Sequence, residues 1–198
     1  MITVIDYGAG NLASVCKAFV HLGYVTEITS DPDIVARAQR LVLPGVGHFR
    51  ATAALEARGL RDAVATAAAR GVPFLGICVG MQWMFAGSDE APDTPGLAAL
   101  PGRCSRFAEG LKSPHVGWNT VRRFGGSPLL QGLADEFFVY YTHSYRANVG
   151  SATVAATDYG GPFAAVVERG NLFGVQFHPE KSASAGLRLL ANFGGLPC

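Results

Sequence analysis

The sequence predicts an α/β fold, a three-layer sandwich around a mostly parallel central sheet with added antiparallel strands. Three observations carry this. Short β-branched runs alternate with helix-patterned segments through the first half, the signature of a parallel sheet covered on both faces. The second half is strand-like, with Gly- or Pro-rich turns between the strands. One helical pattern, about Ala183–Phe193, closes the chain.

In order, Ile2–Asp6 reads as a strand that ends in the loop Tyr7-Gly8-Ala9-Gly10-Asn11. Leu12, Val15, Phe19 and Leu22 have helical spacing over Leu12–Leu22, and Gly23 is a C-terminal stop. Tyr24–Thr29 and Arg40–Leu43 read as strands, the latter running into Pro44-Gly45-Val46-Gly47. Leu55–Arg70 is alanine-rich and helical in part, with a break at Gly59. Phe74–Ile77 is a fourth strand. The later strands are Ala99–Phe107, Gly117–Phe124, Phe137–Tyr141, Thr153–Thr157, Ala164–Glu168 and Leu172–Phe177, with Arg169-Gly170-Asn171 as an antiparallel turn. No repeat, low-complexity segment or linker interrupts the chain, so residues 1–198 read as a single domain. Sheets of this kind bind ligands beyond the carboxyl ends of their strands, which here means the loops after Asp6, Leu43 and Ile77.

Composition narrows the function classes. Hydrophobic residues make up 49% of the chain and charged residues 16%, as in a globular protein. A formal net charge of +1 and the lack of a basic run argue against nucleic acid or an anionic membrane as partner. The apolar run from Val72 to Ala86 is too short and too interrupted for a membrane span. The N-terminus lacks the charged start of a signal peptide, so a reduced cytoplasmic setting is expected. Cys16, Cys78, Cys104 and Cys198 form no C-x-x-C pair, so no metal site or dithiol motif is indicated, and no cofactor is expected.

Two segments carry chemistry. In Gly76-Ile77-Cys78-Val79-Gly80-Met81-Gln82 an apolar run stops at a cysteine between two glycines, and an amphipathic run follows. This is the pattern of a nucleophile elbow with sulfur in place of the serine oxygen. The glycines relieve crowding in the turn. The N–H groups of the following helix would favour thiolate at the sulfur. A lone cysteine among apolar neighbours equally reads as core. The second segment is Phe177-His178-Pro179-Glu180-Lys181-Ser182. Pro179 disfavours helix at His178, and in an extended chain His178 and Glu180 share a face, as base and orienter for a nucleophile. Its plain alternative is a surface turn capping the last helix through Ser182.

Together these segments resemble class I (triad-type) glutamine amidotransferases. More narrowly, the chain resembles the family of glutaminase subunits of imidazole glycerol phosphate synthase, in histidine biosynthesis. The likeness runs from end to end, through Asp6-Tyr7-Gly8-Ala9-Gly10-Asn11, Leu43-Pro44-Gly45-Val46-Gly47, Pro114-His115-Val116-Gly117-Trp118-Asn119, Thr142-His143-Ser144-Tyr145 and Gly174-Val175-Gln176-Phe177-His178-Pro179-Glu180. It implies a class I glutamine amidotransferase-like (flavodoxin-like) fold. It also implies glutamine hydrolysis by a Cys78-His178-Glu180 triad, and transfer of the ammonia to a separate cyclase (β/α barrel) subunit in a heterodimer.

On that reading Val79 and either Val46 or Gly47 supply the oxyanion N–H groups, and the glycines of that loop allow a peptide plane to flip, making the donor switchable. Gly45, Gln82, Glu90, His143, Ser144 and Tyr145 would bind substrate. Trp118, Asn119 and Lys181 would face the partner. Each has a plainer alternative: a Pro-Gly turn, an exposed acid at Glu90, strand-end packing for His143 and Tyr145, a buried tryptophan, a turn asparagine and a solvated lysine. Three rival functions stand beside this one: the glutaminase subunit serving pyridoxal phosphate synthesis, a cysteine hydrolase on a similar fold, and a non-catalytic regulatory subunit.

Overall fold

The computed structural model describes residues 1–197; Cys198, named above among the cysteines that form no C-x-x-C pair, lies outside them. The strands are β1 Ile2–Ile5, β2 Thr26–Thr29, β3 Leu41–Gly45, β4 Phe74–Cys78, β5 Gly87–Ser88, β6 Ala91–Pro95, β7 Cys104–Arg106, β8 His115–Arg123, β9 Glu136–His143, β10 Tyr145–Ala147, β11 Thr153–Asp158, β12 Pro162–Arg169 and β13 Leu172–Val175. The helices are α1 Leu12–His21, α2 Pro32–Arg37, α3 Ala53–Ala57, α4 Leu60–Ala69, α5 Val79–Trp83 and α6 Ala183–Gly194.

A nine-stranded sheet runs in the order β2-β1-β3-β4-β13-β12-β11-β8-β9. From β2 to β13 neighbouring strands are parallel; from β13 to β9 they are antiparallel. Every residue of β1, β3 and β4 is buried, as strands covered on both faces must be. One group of helices joins α1 to α6, with Phe19 against Phe193; the other joins α2 and α3 to α4. The loops after β1, β3 and β4 emerge at one edge, as expected.

Local signals account for several boundaries. Gly23 follows α1 at φ +84°, Gly59 opens α4 at φ +68°, and Gly170 turns β12 into β13 at φ +61°. The structure corrects the sequence reading in four places. Helix α2 was not expected, although Asp31 caps it by accepting from the Asp33 N–H at 2.8 Å and Pro32 opens it. A second sheet, β10-β7-β5-β6, was not expected: only β7 falls in a segment read as strand, while β5, β6 and β10 are short and β6 holds two prolines. The strand expected over Ala99–Phe107 shrinks to Cys104–Arg106, since Pro101-Gly102 forms a bend before it. The run after Cys78 is buried throughout instead of amphipathic, because α5 is packed on the large sheet and also touches the second.

Helix α5 sits unusually close to the sheet. A Cβ on Gly80 would lie 1.9 Å from the Leu43 carbonyl oxygen, and one on Gly76 would lie 2.5 Å from the Gly80 carbonyl oxygen. Both contacts are with backbone that has nowhere to go. Gly80→Ala is therefore expected to destabilise the fold by ~3 kcal/mol or more, beyond the usual overpacking range. Urea denaturation of the two proteins would measure this, and a loss under about 1 kcal/mol would mean that the helix can back away.

Candidate active site

Cys78 ends β4 and immediately precedes α5. Its backbone lies at φ +54°, ψ −108°, a strained conformation for a residue with a side chain. The register continues into the neighbouring strands: Gly45 on β3 lies opposite Cys78, and Val175 on β13 lies opposite Ile77, which brings Gln176 alongside the cysteine. The Gln176 amide donates to Cys78 Sγ at 3.6 Å, and the Gln176 carbonyl oxygen accepts from Gln82 Nε2 at 3.0 Å. Gln82 Nε2 also donates to the Tyr145 carbonyl at 2.9 Å. Sequence reasoning assigned Gln176 no role. It is a fully buried amide at the end of an apolar strand, two residues before His178, and its partners lie far away in the chain.

His178 is extended, at φ −99°, ψ 96°, but Pro179–Lys181 forms a 3-10 turn, so the segment is not extended through Glu180 as expected. The turn still brings the pair together. His178 Nδ1–H donates to Glu180 Oε1 at 3.0 Å, and both side chains are only 1% exposed. Nε2 is left buried without a hydrogen bond of normal geometry, and it is the nitrogen that remains to serve Cys78. Burial works against charge on the ring, but hydrogen-bond and charge interactions with Cys78 and Glu180 outweigh it and push His178 up to about 10. Ser182 does not cap α6 through its side chain. Its hydroxyl donates to the His178 carbonyl at 2.6 Å and accepts from the Tyr140 N–H at 2.9 Å. The His178 N–H in turn donates to the Tyr140 carbonyl at 2.9 Å.

A cavity of about 250 Å³ opens over this arrangement, lined by Val46, Gly47, Cys78, Val79, Gln82, Glu90, Pro114, Thr142, His143, Ser144, Tyr145 and His178. The structure thus gathers nearly all the expected site residues around one space. Glu90 is held there because its carboxylate accepts from the Phe49 N–H at 2.8 Å. Gly45 does not line the cavity. It packs beneath it, where a Cβ would meet Gly80 N at 2.7 Å and the buried Tyr7 hydroxyl at 2.8 Å. Trp118 is 53% exposed on β8, against the plainer reading of a buried tryptophan, and Lys181 lies over the Tyr140 ring at 5.9 Å. Asn119 is half-buried on β8, its amide bonded to the Asp158 carbonyl at 3.0 Å and to His115. Among the described residues no group of acids, cysteines and histidines is arranged to hold a metal ion, and no helix is long and apolar enough to cross a membrane.

A buried cysteine on a strained strand-to-helix turn, with an imidazole and carboxylate beside it, can form and hydrolyse an acyl-thioester. The family comparisons agree with this chemistry. Residues 3–194 match the model of the class-I glutamine amidotransferases, and the chain belongs to that family. A crystal structure of a glutamine amidotransferase superposes with a TM-score of 0.77 over 99% of this chain and all of that one, at 18% identity, which speaks for the fold alone. Within the class, the chain belongs with the HisH subunits of imidazole glycerol phosphate synthase. It is 48% identical to the HisH subunit of Symbiobacterium thermophilum, covering all of this chain and 94% of that one. It is 47% identical to that of Moorella thermoacetica, over 98% and 94%.

The His178 shift fixes a pH dependence. Its folded value lies above the unfolded one, so its stabilisation is complete below pH 6.5 and is lost as pH rises through about 10. Cys78→Ala removes one of the two partners that raise it. The variant should lose this stabilisation at lower pH than the parent. Melting temperatures from pH 6 to 10.5, with the His178 ring proton followed by NMR, would show this; coincident titrations would contradict it.

Proposed function

We propose that this chain is the glutaminase subunit of an imidazole glycerol phosphate synthase in histidine biosynthesis. It would hydrolyse glutamine to glutamate and ammonia, and pass the ammonia to a cyclase subunit that forms imidazole glycerol phosphate and aminoimidazole carboxamide ribotide. The observation that carries the reading is the 3.0 Å Glu180–His178 hydrogen bond beside a cysteine held at positive φ, over a cavity of amino-acid size.

Cys78 Sγ attacks the side-chain amide carbon of glutamine. The oxyanion is met by the N–H of Val79 and by that of Val46 or Gly47, all of which line the cavity. Gly47, at φ +85° with open space around it, can take part in a peptide flip; Gly45, hemmed in by Val79 and Gly80, cannot move as freely. His178 gives its proton to the departing ammonia, then takes one from the water that attacks the thioester. Glu180 holds the imidazole with Nδ1 protonated. Glu90 suits a substrate ammonium, and Gln82, Ser144 and Tyr145 complete the binding cavity.

For the cyclase partner, β8 and β9 offer an exposed apolar face. Trp118 packs edge-on to Tyr140 at 6.2 Å, and Val116 and Phe138 lie beside them, 54% and 63% exposed. Lys181 stands at its margin. Trp118→Ala should weaken cyclase binding by roughly 30-fold, as for an aromatic interface anchor, without altering the melting temperature. Calorimetric titration of the two subunits would detect it, and an unchanged affinity would place the interface elsewhere.

The activity itself is tested by ammonia release from glutamine, measured for the chain alone and with the cyclase subunit and its ribonucleotide substrate. Strong stimulation is expected on addition of both. Cys78→Ser should lower turnover by roughly 10³-fold or more while glutamine still binds. Turnover that survived the substitution would remove Cys78 from the mechanism.

A further inference from the structure

From His143 in the cavity wall a polar chain runs back through His115 to Asn119, and the mechanism above does not use it. The Thr120 N–H donates to Asn119 Oδ1 at 2.7 Å, which fixes the orientation of the Asn119 amide. Its nitrogen must then donate, both to the Asp158 carbonyl at 3.0 Å and to His115 Nε2 at 3.3 Å. His115 Nε2 therefore carries a lone pair, and the proton sits on Nδ1, which contacts His143 Nε2 at 3.2 Å. The other end sets the same order independently. His143 Nδ1 lies 2.9 Å from the Tyr145 carbonyl, which can only accept, so His143 Nε2 is free to accept from His115. Every donor in the chain points the same way.

The chain ends on an oxygen that the site uses. The Tyr145 carbonyl also accepts from Gln82 Nε2, whose second proton goes to Gln176. With both amide protons engaged, Gln82 has only its carbonyl oxygen to offer a ligand, and Gln82 lines the cavity. The histidine rings are held to this task. His115 is stacked between Tyr159, at 4.0 Å and 18°, and Tyr141, at 4.9 Å and 24°. Burial lowers His115 to about 4 and His143 to about 3, so both stay neutral near pH 7 and keep one proton each.

We propose that Asn119, His115 and His143 act as positioning residues for the substrate: their hydrogen-bond chain imposes a single proton order that anchors the Tyr145 carbonyl and turns the Gln82 carbonyl oxygen into the cavity. An acceptor there favours a ligand presenting N–H groups, the ammonium or amide of glutamine, and disfavours a carboxylate. This rests on the glutaminase reading of the site.

Two measurements on the full chain test it. Nitrogen-15 NMR at pH 7 should find both His115 and His143 as Nδ1–H tautomers, although Nε2–H is the commoner form in free histidine. His115→Phe keeps the ring stack but cuts the chain. With the cyclase subunit present it should raise the KM for glutamine roughly tenfold, about the worth of one hydrogen bond, with kcat within about threefold and His143 no longer a single tautomer. Asn119→Ala should move KM in the same direction and serves if His115→Phe does not fold. An Nε2–H tautomer at either ring, or an unshifted KM in a folded variant of an active wild type, overturns the inference alone. Failure of the wild-type complex to release ammonia from glutamine overturns the glutaminase reading and the inference with it.

Discussion

The closeness of α5 to β3 is the constraint on which the site depends. The Leu43 carbonyl occupies the space where a side chain at position 80 would begin. Because the helix lies that near, the chain has a single residue in which to leave β4 and start turning, and Cys78 takes up the strain, of order 1–3 kcal/mol. Burial offsets it: Met81, Trp83 and Met84 are all 1% exposed or less. Glycine at 76, 80 and 174 is thus a packing requirement first, and the placement of the sulfur at the sheet edge, on the cavity wall, follows from it.

The change of strand direction at β13 divides the labour. The parallel half delivers Cys78 and the loop with Val46 and Gly47, all at the carboxyl edge where such sheets bind ligands. The antiparallel half brings β9 back to the same edge, and with it Thr142 and His143, while Tyr145 follows on β10 of the second sheet. Gln176 lies at the seam, bonded to Cys78 on one side and to Gln82 on the other. Neither half alone would enclose a cavity.

How much of this the sequence disclosed depends on range. Strands β1, β3 and β4 were legible because each is a short, fully buried apolar run, and the elbow because its glycines flank a lone cysteine. Helix α2 carried an Asp-Pro signal that is physically clear and was overlooked. Of the small sheet only β7 was legible, since β5, β6 and β10 are two to five residues long, too short for periodicity, and β6 holds two prolines. The nearness of His178 to Glu180 was anticipated for the wrong reason: a 3-10 turn, not an extended chain, joins them. The contacts of Gln176 with Cys78 and of Asn119 with Asp158 could not be foreseen, because the partners lie 98 and 39 residues away. Long-range hydrogen bonds leave no local trace.

The tie between the His-Pro-Glu segment and Tyr140 has a consequence for solubility. Strand β9 is the outermost strand of the large sheet, and an outermost strand offers unpaired backbone groups to any passing chain. Here the Tyr140 N–H is taken by the Ser182 hydroxyl and its carbonyl by the His178 N–H. The residues that carry the proposed base thus also blunt the midpoint of a sheet edge whose neighbouring face is apolar. Selection for chemistry and selection against edge-to-edge aggregation bear on the same few residues, Pro179 among them, which has no N–H to offer an incoming strand.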